Sequence, residues 1–180
     1  MNKPFTNVYL IGPMGSGKTS IGQRLAKVLG LEFLDNDHEL EKQTGASVGL
    51  IFDLEGEEGF RKRETAMLKE LVARQNILLA TGGGTVVREE NRELLRNSGL
   101  VVYLRTSVGQ QLRRLSHDKS RPLLQSANRE EKLARLAEER NPLYEQLADL
   151  TFPSQNRGLD AASQALYNAI QSYRRVDAES

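Results

Sequence analysis

Short apolar runs alternate with longer stretches in which apolar residues recur every three or four positions. This alternation predicts an α/β fold built on a parallel sheet. Residues 7–11 read as a first buried strand, and Ile21, Leu25, Val28 and Leu29 lie at helical spacing behind it. Gly30 stands where a helix C-terminal glycine belongs. Residues 31–35 read as a second strand, followed by a short helix from about 37 to 44 and a helical piece over 47–54 that Ser47 can cap. A long helix over 57–73 turns Phe60, Met67 and Leu71 inward. The third strand, 76–80, runs into Thr81-Gly82-Gly83-Gly84-Thr85. Then come a charged helix over 89–97, a fourth strand at 100–104 and a helix over 107–115. Residues 116–128 are polar and without period, the pattern of a loop. The helix over 129–148 is interrupted by Pro142, which frees the carbonyl of Glu138 and should kink it. A weak fifth strand at 150–152, a turn at 153–158 and a closing helix from 160 to about 175 complete the chain, with 176–180 expected to fray.

Composition narrows this picture. A chain of 180 residues is most simply one domain, and 38% hydrophobic with 27% charged residues suits a soluble globular protein. The formal charge of +1 offers no general attraction to nucleic acid or to an acidic membrane. Cysteine is absent, which removes disulfides and thiolate chemistry, and His38 and His117 alone cannot build a histidine-rich metal site. Residues 1–6 lack the apolar run of a signal peptide, and no stretch approaches the length of a membrane span. A cytoplasmic monomer is the expectation.

The chemistry centres on Gly12-Pro13-Met14-Gly15-Ser16-Gly17-Lys18-Thr19, which fits G-x-x-x-x-G-K-[ST] between a strand and a helix. Glycines let successive backbone N–H groups turn inward around a phosphate, and the helix that follows adds its N-terminal partial charge. Lys18 is placed to reach the β- and γ-phosphates, and Thr19 to reach Mg²⁺.

Ligands of open α/β sheets bind beyond the carboxyl ends of the strands. The phosphate loop, Asp35-Asn36-Asp37 and Gly82-Gly83-Gly84 all fall at such ends, so they should converge on one crevice. Asp37 either caps the helix that follows it or serves a ligand. Beside a phosphate loop, one of the two carboxylates can hold Mg²⁺ or its waters, while the other accepts a hydrogen bond from an attacking hydroxyl. Three consecutive glycines suggest close approach of a ligand to backbone amides, although a loose turn also tolerates them. Arg140 falls on the apolar stripe of Leu133, Leu136, Tyr144 and Leu147, and an inward guanidinium needs a fixed anion, from a ligand or from a structural carboxylate. Arg61 lies one turn before Glu64; the two can form an ordinary surface pair, or Glu64 can hold Arg61 towards an anionic substrate. Arg121, in the polar loop, is either a solvated side chain or one that closes over phosphates. His38 and His117 read as surface residues.

Taken together these residues resemble the shikimate kinase family. The likeness runs through Asp35-x-Asp37, Ser47, Ile51 and Phe52, then Gly56-Glu57-x-x-Phe60-Arg61-x-x-Glu64, and Gly82-Gly83-Gly84. It continues through Arg121-Pro122-Leu123-Leu124 and Arg140-x-Pro142-Leu143-Tyr144, in the family's order and spacing. The resemblance implies a three-layer fold like that of the nucleoside monophosphate kinases, with a five-stranded parallel sheet in order 2-3-1-4-5. It implies transfer of the ATP γ-phosphate to the 3-hydroxyl of shikimate with Mg²⁺. It assigns ATP to Gly15, Ser16, Gly17, Lys18, Thr19 and Ser20 with Arg114, Arg121 and Arg157, and the metal to Thr19 and Asp35. Shikimate falls to Asp37, Arg61, Gly82, Gly83, Gly84 and Arg140, with Lys18, Asp37 and Arg121 catalytic. A substrate segment over about 33–64 and a lid over about 114–127 follow from the same likeness. A related kinase for gluconate or a nucleoside monophosphate, or a nucleotide-binding module without catalysis, are the alternatives.

Overall fold

The computed structural model describes residues 6–116, 128–154 and 157–180. Five strands, β1 (Val8–Ile11), β2 (Glu32–Asp35), β3 (Ile77–Ala80), β4 (Leu100–Arg105) and β5 (Leu150–Pro153), form one parallel sheet in the order 2-3-1-4-5. Its helices are α1 (Lys18–Leu29), α2 (Asn36–Thr44), α3 (Val48–Val72), α4 (Glu89–Ser98), α5 (Val108–Leu115), α6 (Arg129–Leu147) and α7 (Leu159–Glu179). Successive strand residues face opposite sides of the sheet, and the chain uses both. Val8, Leu10, Leu78, Leu100, Val102 and Leu104 pack beneath α1 and α7, with Leu25, Leu166 and Ile170. Tyr9, Ile11, Leu79, Val101 and Tyr103 pack on the other side with Leu68, Leu71, Leu95, Tyr144 and Leu147. Burial on both faces is why β1, β3 and β4 read as unbroken apolar runs.

Register places the site. Leu10 and Asp35 both pair with Ala80, so these three come level at the carboxyl edge of the sheet, and Gly12, Asp37 and Gly82 each follow two residues on. α1 starts behind the glycines and ends at Gly30, whose φ of 69° matches the expected left-handed cap.

The structure departs from the sequence expectations in several places. The expected helices over 47–54 and 57–73 do form, as the two halves of α3, and Gly56 breaks the helix between them at φ 71° and ψ −178°. Ser47 caps it as expected, accepting a hydrogen bond from the Leu50 amide. At α2 the capping carboxylate is Asp35, which accepts from the His38 amide at 3.1 Å, whereas Asp37 sits inside the first turn. A 3-10 turn, Thr85–Val87, follows the glycine run. α7 continues to Glu179 where fraying was expected from 176, with Tyr173 packed against the lower core. α6 runs through Pro142. Among the described residues, no helix is long and apolar enough to cross a membrane.

Candidate active site

The phosphate loop holds Gly15 at φ 74° and Gly17, the residue before α1, at φ 87°. Lys18 turns back over it: its Nζ donates to the carbonyls of Gly12 at 2.6 Å and Pro13 at 2.8 Å, and to Ser16 Oγ at 3.3 Å. An ammonium so placed lies over the loop, where a terminal phosphate would be expected. Thr19, the second residue of α1, donates from Oγ1 to Asp35 Oδ2 at 3.0 Å. One carboxylate thus caps α2 through Oδ1 and meets the loop hydroxyl through Oδ2.

Beside this lies a cavity of about 580 Å³, lined among others by Asp35, Asp37, Arg61, Gly82, Gly83 and Arg140. Phe33, Val48, Phe52 and Phe60 supply its apolar wall, and Phe52 stacks on Phe60 with ring centroids 4.5 Å apart. The volume suits a small-molecule ligand. Asp37, from α2, meets the glycine run across the mouth: a Cβ placed on Gly82 would lie 3.3 Å from Asp37 Oδ1.

Two arginines point into this space from different elements. Arg61, from the second half of α3, is 7% exposed and pairs through Nη1 with Glu64 Oε1 at 3.0 Å. The pair is buried, not the solvent-exposed pair that i,i+3 spacing commonly makes. Glu64, 1% exposed, accepts a further hydrogen bond at Oε2 from the Thr85 hydroxyl, and Thr85 is fixed in turn by Asn91 Nδ2 on its carbonyl. Arg140, from α6, is also 7% exposed. Among the described residues, neither Arg61 Nε nor Arg140 Nε has a hydrogen-bond partner although both are buried. Buried guanidinium N–H groups of this kind call for an acceptor, and an anion bound in the cavity would supply one.

The glycine run divides its duties. At Gly84 a Cβ would sit 2.2 Å from Arg61 Nη2, so the nearest group there is the protein's own guanidinium. At Gly83 an added Cβ would meet nothing nearer than the Met14 amide nitrogen at 3.5 Å, with Arg140 Nη1 at 3.6 Å. The Gly83 carbonyl accepts a hydrogen bond from Tyr144. Burial drives the Tyr144 hydroxyl far above its ordinary value, and the neighbouring Arg140 guanidinium draws it partly back. Tyr144 stacks on Tyr103 at 5.1 Å and so ties β4, α6 and the glycine run together.

Of the remaining expected residues, Ser20 is exposed on α1 and does not line the cavity. Arg114 is exposed on α5 and donates to the Gly15 carbonyl at 2.9 Å. Arg157 is exposed before α7, away from the cavity lining. Arg121, His117 and most of the expected lid lie outside the described residues. Sequence reasoning gave no role to Thr85, Tyr144 or Gln111. Tyr144 had a signal, since its hydroxyl falls on an apolar stripe and a buried hydroxyl seeks a partner. Thr85 and Gln111 had none, because their partners are 21 and 97 residues away in sequence.

A family model for shikimate kinase matches residues 14–171. The shikimate kinase of Vibrio parahaemolyticus serotype O3:K6 is 49% identical over 165 residues, covering 92% of this chain and 96% of that protein. That of Thioalkalivibrio sulfidiphilus is 57% identical over 146 residues, covering 81% and 77%. Among solved structures, shikimate kinase from Acinetobacter baumannii in complex with shikimate superposes with a TM-score of 0.88 at 49% identity, covering 94% of this chain and 95% of that one. Deoxyadenosine kinase from M. mycoides, at 18% identity and a TM-score of 0.61, shares the fold.

Proposed function

The chain belongs to the shikimate kinase family, and on that premise we propose that it transfers the γ-phosphate of ATP to the 3-hydroxyl of shikimate, giving shikimate 3-phosphate and ADP. The observation that carries the substrate assignment is the pair of buried arginines, each with an unpartnered Nε, in a cavity that also holds Asp37 and adjoins a phosphate loop. Shikimate offers one carboxylate and a ring of hydroxyls, and the donors and acceptor divide accordingly.

In this reading Arg61 and Arg140 grip the carboxylate with charge-assisted hydrogen bonds, and Gly82, Gly83 and Gly84 border the ring. Glu64 and Thr85 hold Arg61 in place for that contact. Anchoring the carboxylate turns a ring hydroxyl towards Asp37, which accepts its proton or orients it. The hydroxyl oxygen bonds to the γ-phosphorus, the bond to the β–γ bridging oxygen breaks, and ADP leaves. Lys18 moves from the Gly12 and Pro13 carbonyls to the phosphoryl oxygens, where charge spreads in the transition state. Gly15, Ser16, Gly17, Thr19 and Ser20 surround the other phosphates, Arg114 and Arg157 flank the adenine, and Arg121 belongs to a lid over about 114–127. Residues from about 33 to 64 form the substrate segment that supplies Asp37 and Arg61.

Among the described residues, no cluster of three or more His, Asp or Glu side chains could hold a metal. Mg²⁺ fits nonetheless, since it commonly takes one carboxylate, a hydroxyl, substrate phosphates and waters. Thr19 Oγ1 and Asp35 Oδ2, 3.0 Å apart at the loop, are the residues that would hold it. When bound it neutralises phosphate charge. The active protein is a cytoplasmic monomer in this proposal.

A coupled assay of ADP release with shikimate, gluconate and nucleoside monophosphates as acceptors tests the assignment. Turnover is expected with shikimate and ATP together and not with the other acceptors. ADP release that does not depend on shikimate would refute it.

A further inference from the structure

The Met14 carbonyl of the phosphate loop is held from outside the loop. Gln111, 3% exposed on α5, donates from Nε2 to that carbonyl at 2.9 Å. Nearly one turn further along α5, Arg114 donates to the Gly15 carbonyl, and Leu115 packs against Gly15 itself. The chemistry described above makes no use of Gln111.

Residues 13–16 form a four-residue turn. The Ser16 amide donates to the Pro13 carbonyl at 3.3 Å, and Gly15 occupies the third position with φ 74°. Positive φ at that position marks the type II turn. Types I and II differ by a half-rotation of the central peptide, here Met14–Gly15, while the closing bond is kept. Glycine accepts either sign of φ, so Gly15 does not choose between them. In a planar trans peptide the carbonyl and the N–H that follows it point in opposite directions. A Met14 carbonyl anchored on α5 therefore aims the Gly15 N–H away from α5, into the hollow where the loop amides gather around phosphate.

We infer that Gln111 is a positioning residue for the nucleotide: by fixing the Met14–Gly15 peptide it presents the Gly15 N–H to the phosphate before ATP arrives. The inference rests on the proposed nucleotide site and adds to it the residue that preforms the cradle. Without Gln111 the turn samples both peptide orientations. Nucleotide then binds only the fraction that is correctly turned, and apparent affinity falls by that fraction. Shikimate contacts are made by other elements and are left alone.

Gln111→Met is similar in size and has no donor. Calorimetric titration of the wild-type and variant proteins with ADP, and separately with shikimate, reads the split. ADP should bind about three- to tenfold more weakly to the variant, the factor that one neutral hydrogen bond supplies, while shikimate affinity stays within about twofold. Unchanged ADP affinity, or equal losses for both ligands, overturns the inference. A wild-type chain that takes up no ADP overturns the nucleotide site and the inference together, so the two failures are distinct. A second measurement needs no variant. In ¹⁵N-labelled wild-type protein the Gly15 amide should be among those most shifted by saturating ADP, with the Gln111 side-chain amide held in place. A Gly15 amide that does not respond to ADP also overturns it.

Discussion

Gly84→Ala isolates the contact on which the carboxylate grip depends. Gly84 has φ −95° and ψ 1°, a conformation open to alanine, so the new methyl group introduces no backbone strain. What it introduces is a collision. The methyl carbon would lie 2.2 Å from Arg61 Nη2 and 2.7 Å from both Cζ and Nη1, so the guanidinium must retreat by roughly 1 Å or more to recover ordinary packing distances of about 3.5 Å. Its room to retreat is limited, because Nη1 is bound to Glu64 at 3.0 Å and the side chain lies over the Phe60 ring at 5.2 Å. Overpacking of this kind costs about 1–3 kcal/mol of stability. A displacement of that size in a substrate-positioning group lowers turnover efficiency on the order of 10²-fold. That corresponds to about 2.7 kcal/mol of transition-state stabilisation. Steady-state kinetics of ADP release, with shikimate varied at saturating ATP, should show the loss in kcat/KM for shikimate, while KM for ATP stays near its wild-type value. Gly83→Ala is the companion. Its methyl group meets only ordinary contacts at 3.5 Å and beyond, so its melting temperature should hold, and any rise in shikimate KM then measures the substrate itself. A Gly84→Ala enzyme with wild-type kcat/KM for shikimate would refute the placement of Arg61 on the substrate.

Lys18→Met removes the cation that now rests on the Gly12 and Pro13 carbonyls, and should lower kcat on the order of 10²–10³-fold in the same assay, as loss of a preorganised electrostatic donor does. Asp37→Asn keeps the shape but not the basicity; kcat should fall on the order of 10²-fold or more while ADP affinity by calorimetry is retained, and lost ADP binding would move Asp37 to the nucleotide. Burial raises the Tyr144 hydroxyl above its ordinary value near 10. The folded chain therefore holds this proton after the unfolded chain has released it, so the contribution of Tyr144 to stability is level below about pH 10 and declines above it. Tyr144→Phe should make that alkaline decline shallower by about 1.4 kcal/mol per pH unit in denaturant titrations, and an unchanged slope would contradict the buried, protonated state.

Local signals carried much of the molecule. A phosphate must be surrounded by backbone amides and followed by a helix start, so the loop at 12–19 announces itself through its glycine spacing and the Lys18-Thr19 that follows. Apolar runs marked β1, β3 and β4, which are buried from both sides, and weaker runs marked the partly exposed β2 and β5, each within a residue or two. Asp35 and Asp37 show where such reasoning stops. Spacing identified the pair, but only the fold shows that Asp35 spends one oxygen on the α2 cap and the other on Thr19, whereas Asp37 turns towards the glycine run. The break at Gly56 also had a local cause in glycine's tolerance of positive φ, yet only the fold brings the two halves of α3 together, because Ile51, Phe60, Met67 and Leu68 all pack on the same core.

What the amino-acid sequence determined by itself was therefore periodic or contiguous: the strands, the helices, the phosphate loop and the identity of the charged residues near it. Tertiary structure alone decided how those charges are buried and what braces them. Arg61 becomes a buried, braced cation because Thr85 arrives from the end of β3 to share Glu64, and Gly84 leaves the space its guanidinium fills. The Gly83 carbonyl is held by Tyr144 from α6, and the Met14 carbonyl by Gln111 from α5. These are hydrogen bonds between residues 61 and 97 positions apart, created only when sheet order and register bring separate elements to one edge. No short-range pattern encodes them, because their geometry depends on where whole helices come to rest.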